Sequence, residues 1–330
     1  MTGVTTVQVN EDEAGVRLDR WFKRHYPALP QSRLQKLTRS GQVRIDGKRA
    51  KPADRLEAGQ SVRVPPLGAP NPESAPKPRP KPAISEADAA LIRRSIIFED
   101  DYALVLNKPE GLASQGGSGT TRHVDGLLAA MAGDSEKPRL VHRLDRDTSG
   151  VLALGKTAAS AAALAKAFRD RTARKVYWAI VAGLPNPLAG TIDLPLAKGG
   201  GKGHERMVWD NPDGDRAITD YAVLERAGRF AALVALLPLT GRTHQLRAHM
   251  AAIGHPILGD GKYGGQDAYL PGFELPKAML LHARSLDLPH PSGKGRLFVE
   301  AEPSDAFKAA LDAFGFDPAA LPDPFLAAGR

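Results

Sequence analysis

Asp145 lies in the stretch His142-Arg143-Leu144-Asp145-Arg146-Asp147-Thr148-Ser149-Gly150, a carboxylate flanked by arginines and followed by small polar residues. Short Asp, Ser and Thr side chains bond their local backbone, so Asp147 to Gly150 reads as a turn and the apolar run Val151 to Leu154 as a strand. Asp145 therefore falls at a loop-to-strand junction, where a scaffold can steady a reactive group without enclosing it. A carboxylate there can attack a carbon or remove a proton. Spacing alone leaves a structural role open, with Asp145 capping the turn or pairing with Arg143 or Arg146.

Two other chemistries match by letter and fail on context. Gly150 to Thr157, GVLALGKT, satisfies the phosphate-loop pattern GxxxxGK[ST]. That chemistry needs a loop whose amides wrap a phosphate, and four apolar residues reading as a strand supply no such cradle. Nucleotide binding is not expected. His142 with Asp145, His244 with His249, and His255 with Asp260 could be scored as metal ligands. But His244 and His249 are five apart, off the helical face that a spacing of four would share, and there is no HExxH and no cysteine. We expect no metal and no cofactor, with activity that survives chelators.

The elements that must position these residues follow from apolar periodicity. IIFEDDYALVLNKPEGLASQ, from Ile96, reads as strand, acidic turn, strand and a tight turn at Lys108-Pro109-Glu110-Gly111. Thr157 can cap an alanine-rich helix running to Arg174, with Leu164, Ala167 and Phe168 inward. ARKVYWAIVAG, from Ala173, reads as an alternating strand, and KGGGKGHER, residues 198–206, as a mobile basic loop. From Phe230 to Asp260 a buried strand, a turn at Gly241 and a helix are expected. The alanine-rich end after Asp305 reads as a helix and a loose tail. Strands with scattered helices and no regular βαβ alternation predict an α+β domain on a mostly antiparallel, mixed sheet.

Residues 15–65 hold 13 Lys and Arg against 4 Asp and Glu, whereas the rest of the chain holds 32 against 33. A positive charge this concentrated fits a polyanion better than a merely solvated face. VRLDRWFKR and SRLQKLTRS there form two basic amphipathic helices, the second stopped by Gly41; VRIDGKRA gives a hairpin and Gln60 to Val64 a strand. Eight prolines between Pro65 and Pro82 mark a semi-rigid linker. The organisation expected is a small α/β module at 1–65, a linker at 66–90 and a catalytic domain at 91–330. No run approaches the 18 or so apolar residues of a membrane span, and the first residues lack a signal-peptide pattern, so a cytoplasmic protein is expected.

Residues 142–150 resemble, without a mismatch, the HRLDxxTSG signature of the RluA-type pseudouridine synthase family. NKPEGL at 107–112, TGRTHQLRAH at 240–249, and GHPILGD followed by KYG at 254–264 resemble that family's other motifs. Residues 15–65 resemble the RNA-binding module named after ribosomal protein S-four. The resemblance implies an enzyme that breaks the bond between ribose and uracil, turns the base, and joins its carbon 5 to the same sugar carbon, with no redox step. It implies that Asp145 is the catalytic carboxylate, as nucleophile or as base, that Arg247 pairs with it, and that Tyr177 stacks on the target base and offers a hydroxyl. Arg143 would occupy the space the uridine vacates. Extruding a base costs a few kcal/mol and one aromatic stack returns about 1–3. Further RNA contacts are therefore assigned to Arg139, Arg146, Arg242 and His244, and to Arg17, Arg20, Arg33, Lys36 and Arg39 of the module. The expected partner is RNA, most naturally large-subunit ribosomal RNA, bound by a monomer; a tRNA-directed synthase and a non-catalytic assembly factor are the alternatives.

Overall fold

Leu18, Trp21 and Phe22 recur at helical spacing, and they are buried on one face of α1 (Leu18–His25). The computed structural model describes residues 3–67, 84–117, 120, 122–132, 136–199, 206–209, 211, 213–317 and 323–326. The chain divides into two compact units, Met1–Lys81 and Pro82–Arg330.

In the first unit, α2 (Gln31–Arg39) buries Leu34 and ends before Gly41, whose φ of +71° suits glycine. Asp46 and Gly47 take φ of +49° and +76°, the geometry of a tight hairpin turn between β2 (Arg44–Ile45) and β3 (Lys48–Arg49). A strand not foreseen, β1 (Thr5–Gln8), pairs antiparallel with β4 (Ser61–Val64). The linker assigned to 66–90 ends sooner than expected. Ser85 accepts the Asp88 N–H at 3.1 Å and caps α3 (Glu86–Ser95), which buries Ala89 and Ile92. Most of the proline-rich stretch, residues 68–83, lies outside the described residues.

The second unit is built, among the described residues, on one ten-stranded sheet and a separate two-stranded pair. β5 (Ile96–Glu99) and β6 (Ala103–Lys108) form a hairpin; α4 (Val124–Ala132) leads to β7 (Arg139–Leu140) and β8 (Ser149–Gly155). After α5 (Ala158–Arg169) come β9 (Arg174–Ala182), β10 (Ala189–Asp193), a small pair β11 (Ala197–Gly199) and β12 (Arg206–Val208), then β13 (Ile218–Ala227) and β14 (Ala231–Pro238). α6 (Gln245–Ala252), α7 (Gly261–Gly264), β15 (Leu281–Pro289), β16 (Arg296–Glu300) and α8 (Asp305–Phe314) complete it. The large sheet runs β10-β13-β14-β9-β15-β8-β6-β5, with β16 also on β15 and β7 also on β8. All pairs are antiparallel except β15 with β8.

Two expectations are corrected. The helix after Thr157 stops at Arg169, because Arg171 takes a left-handed φ of +60° and the Thr172 N–H returns to the Ala167 carbonyl at 3.0 Å; Arg174 then opens β9. β9 does not alternate buried with exposed residues. It is central, with Val176, Trp178 and Ile180 in one core cluster and Ala179 and Val181 in another. Residues 200–205 of the glycine-rich stretch lie outside the described residues, and its ends pair as β11 and β12.

Candidate active site

The loop carrying Asp145 is fastened through its backbone on both sides. Ser114 Oγ donates to the Leu144 carbonyl at 2.8 Å and accepts the Leu144 N–H at 3.1 Å. The Lys108 ammonium, 0% exposed, donates to the carbonyls of Pro109, Leu112 and Arg146 at 2.8, 2.7 and 3.1 Å. Burial pushes Lys108 down to about 8, against the pull of the Asp147, Glu110 and Asp145 charges. His142 Nε2 accepts the Ala153 N–H at 2.9 Å, and its ring stacks on Phe168. Burial, helped by the charge of Lys175, pushes His142 down to about 3, so its ring is neutral.

Behind the loop, β8 can lie against β15 only because residue 150 is glycine. Its φ is +107°, and a Cβ would stand 2.2 Å from the Ala283 carbonyl oxygen. The register aligns Gly150, Ala283 and Tyr177 in one row across β8, β15 and β9. Tyr177 and Asp145 line one open cleft of about 1520 Å³. Burial raises the Tyr177 hydroxyl, and the Asp145 charge adds to the shift.

The opposing charge comes from α6, 102 residues along the chain. Arg247, 7% exposed, donates through Nη1 to Asp145 Oδ2 at 3.2 Å. Its Nε and Nη2 donate to Asp260 Oδ2 and Oδ1 at 2.7 and 2.8 Å, a two-point grip that fixes the guanidinium plane. Burial alone would lower Arg247, but Asp260 and Asp145 more than reverse this and raise it. Asp260 also caps α7 through the Tyr263 N–H. The Tyr263 hydroxyl accepts the Met207 N–H at 2.9 Å, which leaves its own proton for His244 Nδ1, also at 2.9 Å. The neutral His244 ring then carries its proton on Nε2, 3.6 Å from Asp145 Oδ2.

The structure thus brings together Asp145, Arg247, Tyr177, Arg143, Arg146, Arg242 and His244 at one cleft. Arg139 is not among its lining residues; it sits on β7 and pairs with Glu136 at 2.8 Å. His244 stands beside the carboxylate rather than out on an RNA-facing rim. Arg242 is engaged by Asp215 at 3.2 Å and the Arg216 carbonyl at 3.0 Å. In the first unit Arg20, Arg33, Lys36 and Arg39 are exposed, and exposed Arg17 pairs with Asp19. Sequence reasoning missed Asp260 and Tyr263 as site-builders, although their spacing of three beside a short helix is a capping signal. Ser114 carried no signal. Gly150 to Gly155 of the phosphate-loop pattern fall on β8, buried from end to end, and Thr157 caps α5, while His249 and His255 bond Thr219, Leu194 and Ala182. Among the described residues no three His, Asp or Glu side chains are disposed to hold a metal, and no helix is long and apolar enough to cross a membrane.

An open cleft rimmed by arginines, with the Asp145 carboxylate and Tyr177 inside, suits a polyanion that presents a base; the class this defines is an enzyme that modifies RNA. The profile of the family described as "RNA pseudouridylate synthase" matches residues 101–252, and that of the "S4 domain" matches residues 16–62. The "Ribosomal large subunit pseudouridine synthase C" of Vibrio cholerae is 36% identical over 302 residues, 91% of this chain and 93% of that protein. Its namesake in Salmonella typhimurium is 38% identical over 313 residues, 93% of this chain and 96% of that protein. The solved structure of "Human RNA Pseudouridylate Synthase Domain Containing 4" superposes with a TM-score of 0.56 at 28% identity, over 69% of this chain and 96% of that one. The chain belongs to the RNA pseudouridylate synthase family: it is an isomerase of RNA, with an α+β catalytic unit preceded by an S4 domain.

Proposed function

We propose that this protein converts uridines of large-subunit ribosomal RNA to pseudouridine, acting as a cytoplasmic monomer, with Asp145 as the group that works at the sugar. The observation that carries the reading is the Asp145 carboxylate held 3.2 Å from Arg247, inside the cleft that also contains Tyr177. In the reaction the bond from the ribose carbon to N1 breaks, the uracil turns, and the same carbon bonds to C5. The C5 proton is lost and N1 becomes N–H, so atoms balance without a co-reactant. Arg247 sets positive charge against the carboxylate, and Asp260 stops the guanidinium from swinging away. Tyr177 stacks on the extruded base, while Arg143 and Arg146 at the cleft hold the surrounding strand. Arg17, Arg20, Arg33, Lys36 and Arg39 add phosphate contacts that strengthen binding without reading sequence. The choice of large-subunit RNA is supported by relatives of that name aligning over more than nine-tenths of the chain.

The test is an Asp145→Asn variant given RNA tritiated at uracil C5. RNA affinity should stay close to wild type while tritium release falls on the order of 10³-fold or more. Turnover within about tenfold of wild type would remove Asp145 from the role. Transcripts of large-subunit RNA and of tRNA, assayed side by side, decide the substrate: release from tRNA alone would reassign it.

A further inference from the structure

We infer that Lys175 and Arg171 form a subsite for one RNA phosphodiester next to the nucleotide whose base lies against Tyr177; this rests on reading the cleft as an RNA site. Side chains two apart on a strand share a face, about 7 Å from each other. Lys175 therefore stands beside Tyr177 on β9, while Val176 and Trp178 pack on the opposite face. Both Lys175 and Tyr177 line the cleft.

Among the described residues, the half-buried Lys175 ammonium has no carboxylate and no hydrogen-bond acceptor, and a neighbouring charge acting on it is another cation, Arg171. Its basicity is lowered, first by burial and then by that arginine. Arg171 also lines the cleft, held there by its left-handed backbone at the end of α5. Neighbouring cations of the same cleft are treated otherwise. Arg174 is gripped by both oxygens of Asp323 at 2.6 and 2.7 Å, and Arg296 by Asp287 at 2.7 Å. Carboxylates are thus supplied to Arg174 and Arg296 and withheld from Lys175 and Arg171. A half-buried ammonium beside an exposed guanidinium, with no counter-charge for either among the described residues, is unfavourable in the free protein, and an anion placed between them relieves both the desolvation of Lys175 and the repulsion. Because a stacked base is tied to its own phosphates, the anion that reaches this spot is one belonging to the target nucleotide or its immediate neighbour.

The experiment uses the full chain, the variants Lys175→Gln and Arg171→Gln, and RNA oligonucleotides in which one phosphodiester beside the target uridine is replaced by a neutral methylphosphonate. Lys175→Gln should weaken RNA binding about tenfold at low salt, with the loss falling on KM far more than on kcat, and should flatten the plot of log affinity against log salt by about 0.7–0.9. Arg171→Gln, at an exposed position, should act in the same direction. One of the neutral linkages should cost wild type about as much as Lys175→Gln does, and cost the variant almost nothing more. Fully additive penalties at every linkage, or an unchanged salt slope, overturn the subsite. If wild type shows this coupling yet releases no tritium from uridine, the subsite stands and the pseudouridine reading falls.

Discussion

At the scale of single residues, the Asp145 site depends on a carboxylate that never meets the substrate. Asp260 is 2% exposed and is bound by Nε and Nη2 of Arg247, while Nη1 donates to Asp145. Removing one partner of a buried ion pair strands the other. Asp260→Ala should lower stability by about 3–5 kcal/mol in urea unfolding, and should reduce turnover even where the protein is fully folded. A loss below about 1 kcal/mol would mean that water readily replaces the carboxylate. The sequence made Asp145, Tyr177 and Arg247 legible through motif resemblance, each on its own. It did not reveal that Asp260 organises them, because the contact joins residues through space and leaves no local pattern. That Arg139 lies off the cleft was hidden for a related reason: position near a loop does not determine which way a strand side chain points.

At the scale of elements, two neutral histidines fasten β8. His142 accepts the Ala153 N–H, and His282 on β15 bonds Ser149 at 2.8 Å and the Ala301 carbonyl at 3.1 Å. Burial is the main cause that lowers both, to about 3 for His142 and about 4 for His282. The unfolded chain takes up these protons near pH 6.5 and the folded chain does not, so stability is lost as pH falls below 6.5, toward those two values. Urea midpoints should drop between pH 6.5 and 5.0, and the drop should shrink in His282→Gln; a flat midpoint would show that neither ring is held neutral. β5, β6, β8, β9, β14 and α6 were readable because each is an apolar run or a stripe with a clear stop, whereas β1, β7, β10 and β16 are short and carry no such run. α3 was hidden by the prolines before it, which dominated the composition of the window. The early end of α5 was hidden because Arg171, not glycine, adopts the left-handed turn, and nothing in an arginine advertises that conformation.

At the scale of the whole molecule, charge and chemistry are divided between the two units. The exposed cations of α2 are expected to act on affinity alone. Replacing Arg33, Lys36 and Arg39 together by Gln should flatten the salt dependence of RNA binding by about 2, while the pattern of modified uridines in the RNA stays the same. A shift in which uridines react would give this module a part in choosing them. The row of Gly150, Ala283 and Tyr177 has a different consequence. With β15 as the spacer, the gap between the strand that follows Asp145 and the strand that carries Tyr177 is two ladder steps, about 9.6 Å. The sheet is in effect a gauge block, and its width is set by main-chain bonds that side-chain drift does not alter. Substitutions that loosen the interior should therefore thin the population of working molecules long before they blur which base a surviving molecule accepts.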